Sequence, residues 1–214
     1  MRLRTMFSFL AGFLGAAFAQ ERPWVLMTVS GEVQARGANE LDWVRAESGR
    51  VLHERETLRC GKAATAQIKT AGDKVFILPE NAQIEIRELR PFNREQVVLE
   101  LTALEMQKLP AKKDSTKRQS NAFILHGALP DSAGKQDDPG TLEYMRCEER
   151  GALALFAQGY FAGFILKWNR LANLFPACAS EPAEAALIKA YQIMGMPFRM
   201  QQAQQRFRQR WAKP

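Results

Sequence analysis

Histidine and cysteine are scarce in this chain. Its 214 residues include two histidines, His53 and His126, and three cysteines, Cys60, Cys147 and Cys178. A structural zinc site takes about four such ligands and a catalytic one about three. His53-Glu54 is followed by Thr57 where the second histidine of an H-E-x-x-H helix would stand. Cys60, seven residues after His53, completes no known ligand spacing. Three cysteines are too few for a disulfide scaffold, so a packed core must hold the fold. No serine sits in a G-x-S-x-G elbow, and Ser30 lies in "VSGEV". The glycines of "GEVQARGANE" lack the spacing of a phosphate-binding loop. Glu54 and Glu56 share a face at period two, which reads as a solvated strand face rather than a glycosidase pair. The expectation is a chain with no catalytic residue, no metal and no cofactor.

Long apolar runs are equally scarce. One occurs, "MFSFLAGFLGAAFA" from Met6 to Ala19, behind the basic start "MRLRT" and ending Ala17-Phe18-Ala19. Its fourteen residues fall short of a bilayer span. A basic start, a short apolar run and small residues at the end describe a signal peptide. Residues 1–19 are therefore expected to be cleaved after Ala19, placing the mature chain in the periplasm or outside the cell. An uncleaved anchor helix is the alternative. With 46% hydrophobic and 25% charged residues and a mean hydropathy of −0.29, the remainder can bury a core in water.

The net charge of +7 is unevenly placed. Gln20 to Gln107 holds 12 basic and 14 acidic residues. The positive excess lies in the leader, in "KLPAKKDSTKRQS" (108–120) and in the tail "RMQQAQQRFRQRWAKP" (199–214), which has five basic residues and no acid. An exported protein rarely meets nucleic acid, so a solvated linker and a basic helix end are the reading. The alternative for the tail is contact with an anionic envelope surface.

Residues 20–107 carry a β pattern. "WVLMTVSGEVQAR" is two apolar runs broken at Ser30-Gly31. Ala66 and Ile68, Val75 and Ile77, and Ile84 and Ile86 recur every second residue, with turn chemistry at Ala71-Gly72-Asp73 and Pro79-Glu80-Asn81. Val97, Leu99 and Leu101 alternate too, which favours a strand over a short helix for "EQVVLELTALEM". Residues 108–140 read as a linker around a short extended island, "NAFILHGALP". From Thr141 to the end the apolar period is helical. Pro176 closes one stretch, Glu181-Pro182 opens another, Gly195 ends it, and a last helix runs from Pro197 to Trp211. The fold class expected is α+β in two segregated parts, an N-terminal all-β sandwich-like region and C-terminal helical hairpins.

The β region resembles the FecR-like domain, a periplasmic β-module. "VSGEVQAR", "DWVRAESGRVL", "HERETLRCGKAATAQI" and "DKVFILPENAQIEI" carry the resemblance in that order over about eighty residues. Arg55-Glu56 departs from the Gly-Asp type of turn common in that family. The resemblance implies the module alone. The signalling members place a sigma-binding segment and a membrane span ahead of the domain, and this chain shows neither. The helical region resembles tetratricopeptide-type helix pairs. Leu155, Gly159, Phe161, Trp168, Leu171 and Pro176 stand at the spacings of one repeat, with Phe164 where a small residue is usual. A second, degenerate unit holds Tyr191 and Gly195.

That resemblance implies that Leu155, Gly159, Phe161, Trp168, Leu171 and Tyr191 form a repeat core or line a partner groove, with Trp168 in the core. With so few repeats, the helices should pack as a small bundle or lean on the β-domain. Cys147 and Cys178, 31 residues apart and near equivalent helix starts, are candidates for a disulfide worth roughly 3–4 kcal/mol. Two buried free thiols are the alternative. Together these features lead us to expect an exported non-enzymatic binding or scaffold protein of the bacterial cell envelope, acting on a protein or polysaccharide. The alternatives are an anchored signalling regulator and a hydrolase.

Overall fold

The computed structural model describes residues 24–70, 73–107, 139–176 and 180–211. Antiparallel strands come first and helices second, which is the α+β class expected from sequence.

The strands are β1 (Trp24–Ser30), β2 (Val33–Arg36), β3 (Val44–Arg45), β4 (Val51–Leu52), β5 (Thr57–Cys60), β6 (Thr65–Lys69), β7 (Val75–Leu78) and β8 (Gln83–Glu85). They form two four-stranded sheets, ordered β4-β1-β6-β7 and β3-β2-β5-β8. Period two explains which residues the first sheet buries: Leu26, Leu52, Ala66, Ile68, Phe76 and Leu78. The second sheet buries Val33, Ala35, Leu58, Cys60 and Ile84, and turns Gln34, Arg36, Thr57, Arg59, Gln83 and Glu85 to its other face.

Two local expectations need correction. In "KVFIL" the alternation holds with the opposite phase: Val75 and Ile77 are exposed while Phe76 and Leu78 are buried. Both phases are apolar there, so the sequence does not mark the inner one. "EQVVLELTALEM" is not a strand but the helix α1 (Arg94–Met106). Asn93 and Gln96 start it as a capping box: Asn93 Oδ1 accepts from the Gln96 amide at 2.8 Å, and Gln96 Oε1 accepts from the Asn93 amide at 2.9 Å. Val97 and Leu101, one turn apart, are buried, while Leu99 is 69% exposed.

A 3-10 turn, Ile86–Leu89, links β8 toward α1. The remaining helices are α2 (Pro139–Ala157), α3 (Phe161–Leu174), α4 (Glu181–Ile193) and α5 (Pro197–Trp211). α2 and α3 form one hairpin, α4 and α5 a second. Both close in the same way. Gly159 (φ 84) and Gly195 (φ 65) follow the helix ends, and the next amide, of Tyr160 or Met196, donates five residues back to Leu155 or Tyr191 at 2.9 Å. The two closures lie 36 residues apart, from Gly159 to Gly195.

The helices lean on the sheets and do not form a separate body. Buried residues of both belong to one core, from Leu26 and Ile84 to Phe164, Trp168 and Tyr191. α2 crosses β8 with Gly151 against the Gln83 carbonyl, and α3 crosses the 3-10 turn with Gly163 against the Glu88 carbonyl. Gln158 at the foot of α2 covers the edge of β7. Its Nε2 donates to the Ile77 carbonyl and its Oε1 accepts from the Ile77 amide, both at 2.7 Å. This side chain occupies main-chain groups that an edge strand otherwise offers to another chain.

Candidate binding groove

Four helices enclose an open cavity of about 390 Å³. Leu101, Leu104 and Glu105 of α1 form one wall, and Asn169 and Asn173 of α3 the floor. Tyr191 of α4 sits behind them, and Arg199, Gln202, Gln205, Arg206 and Gln209 of α5 form the far wall. Spacings of three and four put each helix's contribution on one face. Asn169 Nδ2 donates to the Ile165 carbonyl at 2.7 Å and to the Tyr191 hydroxyl at 2.9 Å, which fixes the floor to α4. Arg199 grips Glu105 through two contacts, one of them at 3.2 Å, and ties α5 to α1. Its hydrogen bonds to the Glu105 carboxylate hold the Arg199 guanidinium above its usual range. Gln202, Gln205, Arg206 and Gln209 are exposed. The lining thus offers amides, each both donor and acceptor, beside two arginines.

A second polar cluster lies beneath α2 and α3 and is mostly buried. Lys167 is 1% exposed and its Nζ lies 2.5 Å from Glu148 Oε2 and 3.1 Å from Glu88 Oε2. Arg170 meets Glu88 at 2.7 Å and Glu85 at 3.1 Å, and Gln83 Nε2 donates to Glu148 Oε1 at 2.7 Å. Burial pushes the Glu88 carboxyl up, with Lys167 and Arg170 opposing it. Burial pushes Glu148 the same way, yet Lys167, Arg170 and two side-chain hydrogen bonds bring it below its usual range. With its charges paired, and Lys167, Glu88 and Glu148 buried while Arg170 and Glu85 keep a small exposed edge, this cluster joins helices to sheet.

Leu155, Trp168 and Leu171 are buried in the core, and Trp168 Nε1 donates to Glu184 Oε1 at 3.3 Å. Gly159 makes the α2–α3 turn, and Phe161 stacks edge-on against Phe156 with centroids 5.5 Å apart. Tyr191, also buried, is the one member of that set that lines the groove. His53 is exposed ahead of the 54–55 turn, whereas Cys60 faces the core, so the two do not form a site. Glu56 departs from the expected solvated face. It is buried, pairs with Arg50 at 3.0 Å and accepts from the His53 amide at 3.2 Å, closing its own turn. Cys147 is a buried free thiol on α2; Cys178 and His126 lie outside the described residues. No group of three or more His, Cys, Asp or Glu side chains is placed to hold a metal among the described residues. No helix among them is long and apolar enough to cross a membrane.

Burial pushes the Cys60 thiol up to about 12, and its Sγ lies 3.7 Å from the Leu78 carbonyl. Only on the order of one thiol in ten thousand would then be thiolate at pH 8. A maleimide should leave Cys60 unmodified in the native protein and label it once urea unfolds the chain. Peptide mapping after timed labelling checks this, and native labelling within minutes would place Cys60 outside the core.

The groove is not legible in the sequence, because its wall on α1 alternates as a strand does and the amides of α5 lie within a basic tail. The one signal was the amide and arginine stripe at 202, 205, 206 and 209. Comparison with protein-family models, with curated proteins and with solved structures yields no match to this chain.

Proposed function

We propose that this chain is an exported, non-enzymatic binding protein of the bacterial cell envelope. It would join a FecR-like β-sandwich module to tetratricopeptide-like helix pairs, and its groove would hold an extended, acidic segment of a partner protein. The observation that carries the reading is the lining of the groove. Side-chain amides pair with peptide groups, which also present one donor and one acceptor each, and arginines pair with carboxylates. The lining's one aromatic ring, Tyr191, is buried, so no flat face is open for a sugar ring. That favours protein over polysaccharide. The tetratricopeptide-like reading is supported by the two helix pairs closed alike 36 residues apart, near the 34-residue period of that repeat. The FecR-like reading is supported by strand breaks at Gly31, at 54–55 and at Asn81, each inside one of the quoted motifs.

A photo-crosslinking amino acid at Gln205 tests the proposal in envelope extract. The expected product joins this chain to one protein through a segment rich in aspartate and glutamate. Arg206→Glu should reduce its yield at least tenfold while leaving the melting temperature unchanged. Equal yields from both proteins, or recovery of polysaccharide alone, would sink the proposal.

A further inference from the structure

The polar face of the second sheet carries a feature unconnected with the groove. Arg36 on β2 and Arg59 on β5 lie on that face, and Trp43, in the loop before β3, lies against both. The guanidinium carbons are 4.5 Å (Arg36) and 4.6 Å (Arg59) from the indole centroid. Stacking on an indole attracts a guanidinium through its flat face and leaves the N–H groups at its edge free to bond.

The two arginines differ in how those N–H groups are used. Arg59 Nη2 donates to Gln34 Oε1 at 2.7 Å, and Gln34 Nε2 donates to Glu32 Oε1 at 2.8 Å. Arg36 is only 8% exposed, yet its guanidinium makes no hydrogen bond or ion pair among the described residues. It is also absent from the fully enclosed unpaired groups, so its nitrogens keep a narrow opening to solvent. Burial holds Arg36 below its usual range, and the neighbouring Arg59 charge acts in the same direction. Tyr144 and Glu148 act against them. The Glu148 carboxylate is already engaged by Lys167 and Gln83. A buried guanidinium without its hydrogen bonds, beside a second one, is an unfavourable arrangement that an anion would relieve.

We propose that Arg36 and Arg59, held in place by Trp43, form a binding site for an oxyanion, the carboxylate or phosphate group of a ligand. The planar guanidinium edge suits two parallel N–H···O bonds to such a group, and Trp43 fixes its orientation in advance. The site lies on the polar face of the second sheet beside α2, and none of its residues lines the groove.

Trp43 supplies the readout. The full mature chain is titrated with sodium acetate and with sodium phosphate, against sodium chloride at equal ionic strength, while tryptophan emission is followed. At least one oxyanion should give a saturable change that chloride does not, and which one responds identifies the group. Trp43→Phe should remove the change, and Arg36→Gln and Arg59→Gln should each weaken binding at least tenfold. Lys189→Gln, at an exposed position on α4, should leave it intact and so control for loss of charge alone. Should Arg36→Gln fail to fold, Arg59→Gln, at a half-buried position, carries the test. A response equal to that of chloride, or one that survives in Arg59→Gln, overturns the proposal.

Discussion

Lys167→Ala should destabilise the protein by about 3–5 kcal/mol, the usual effect of removing one partner from a buried ion pair. Lys167 stands on α3 between Glu148 of α2 and Glu88 of the 3-10 turn, and all three are buried. Without the ammonium group, two carboxylates face each other out of water with Arg170 as their remaining cation. One of them must then take up a proton. Its folded-state pKa rises above the unfolded value, so what stability the variant keeps is fully present below the unfolded pKa and fades as pH rises through the folded one. The deficit relative to wild type should therefore be smaller at pH 4 than at pH 7. Urea unfolding at the two pH values measures it. Equal deficits would mean that the lysine acts through its hydrocarbon stem alone, and Lys167→Met, which keeps that stem, would then behave as wild type.

Gly163→Ala should destabilise by about 3 kcal/mol, at the upper end of overpacking costs. In most helices the same change stabilises by about 1 kcal/mol. The sign reverses here because a β-carbon on Gly163 would fall 2.0 Å from the Glu88 carbonyl oxygen. That oxygen belongs to the main chain and cannot rotate aside, so α3 must move away from the 3-10 turn. Lys167, one turn further along the same face, moves with it and loses its hold on Glu88. Gly151 stands in the same relation to the Gln83 carbonyl, at 1.9 Å, so Gly151→Ala should have a similar effect through α2. Because both helices share the ion cluster, the double variant should depart from additivity. Thermal and urea unfolding of the three proteins decide the matter. A Gly163→Ala protein as stable as wild type would show that the helix and turn are not in close contact.

Much of the local structure was legible in the sequence, because short-range rules govern it. Alternation placed Ala66 and Ile68 on one strand face, which the fold buries, and turn chemistry marked Pro79-Glu80-Asn81, where Asn81 takes φ 50. Glycine after a helical period located the ends near Gly159 and Gly195. The bounds of α5, Pro197–Trp211, followed from the same signals. Where both phases were apolar, as in β7, or where alternation and helical spacing overlapped, as in α1, the local pattern was degenerate. Packing chose between the readings by burying Phe76 over Val75 and by exposing Leu99.

The candidate sites belong to the tertiary structure. Lys167, Glu88 and Glu148 carry no mark in sequence, since a buried charge is acceptable only when its partners arrive from other elements. Arg36, Trp43 and Arg59 come from a strand, a loop and another strand. The groove needs four helices, one of them from the N-terminal half. The sequence by itself determined an N-terminal run of strands, a C-terminal run of helices and most of their turns, because backbone preference and apolar period act over a few residues. Only the tertiary structure decided which polar side chains meet, because those meetings join residues dozens of positions apart and depend on how helices settle on a sheet.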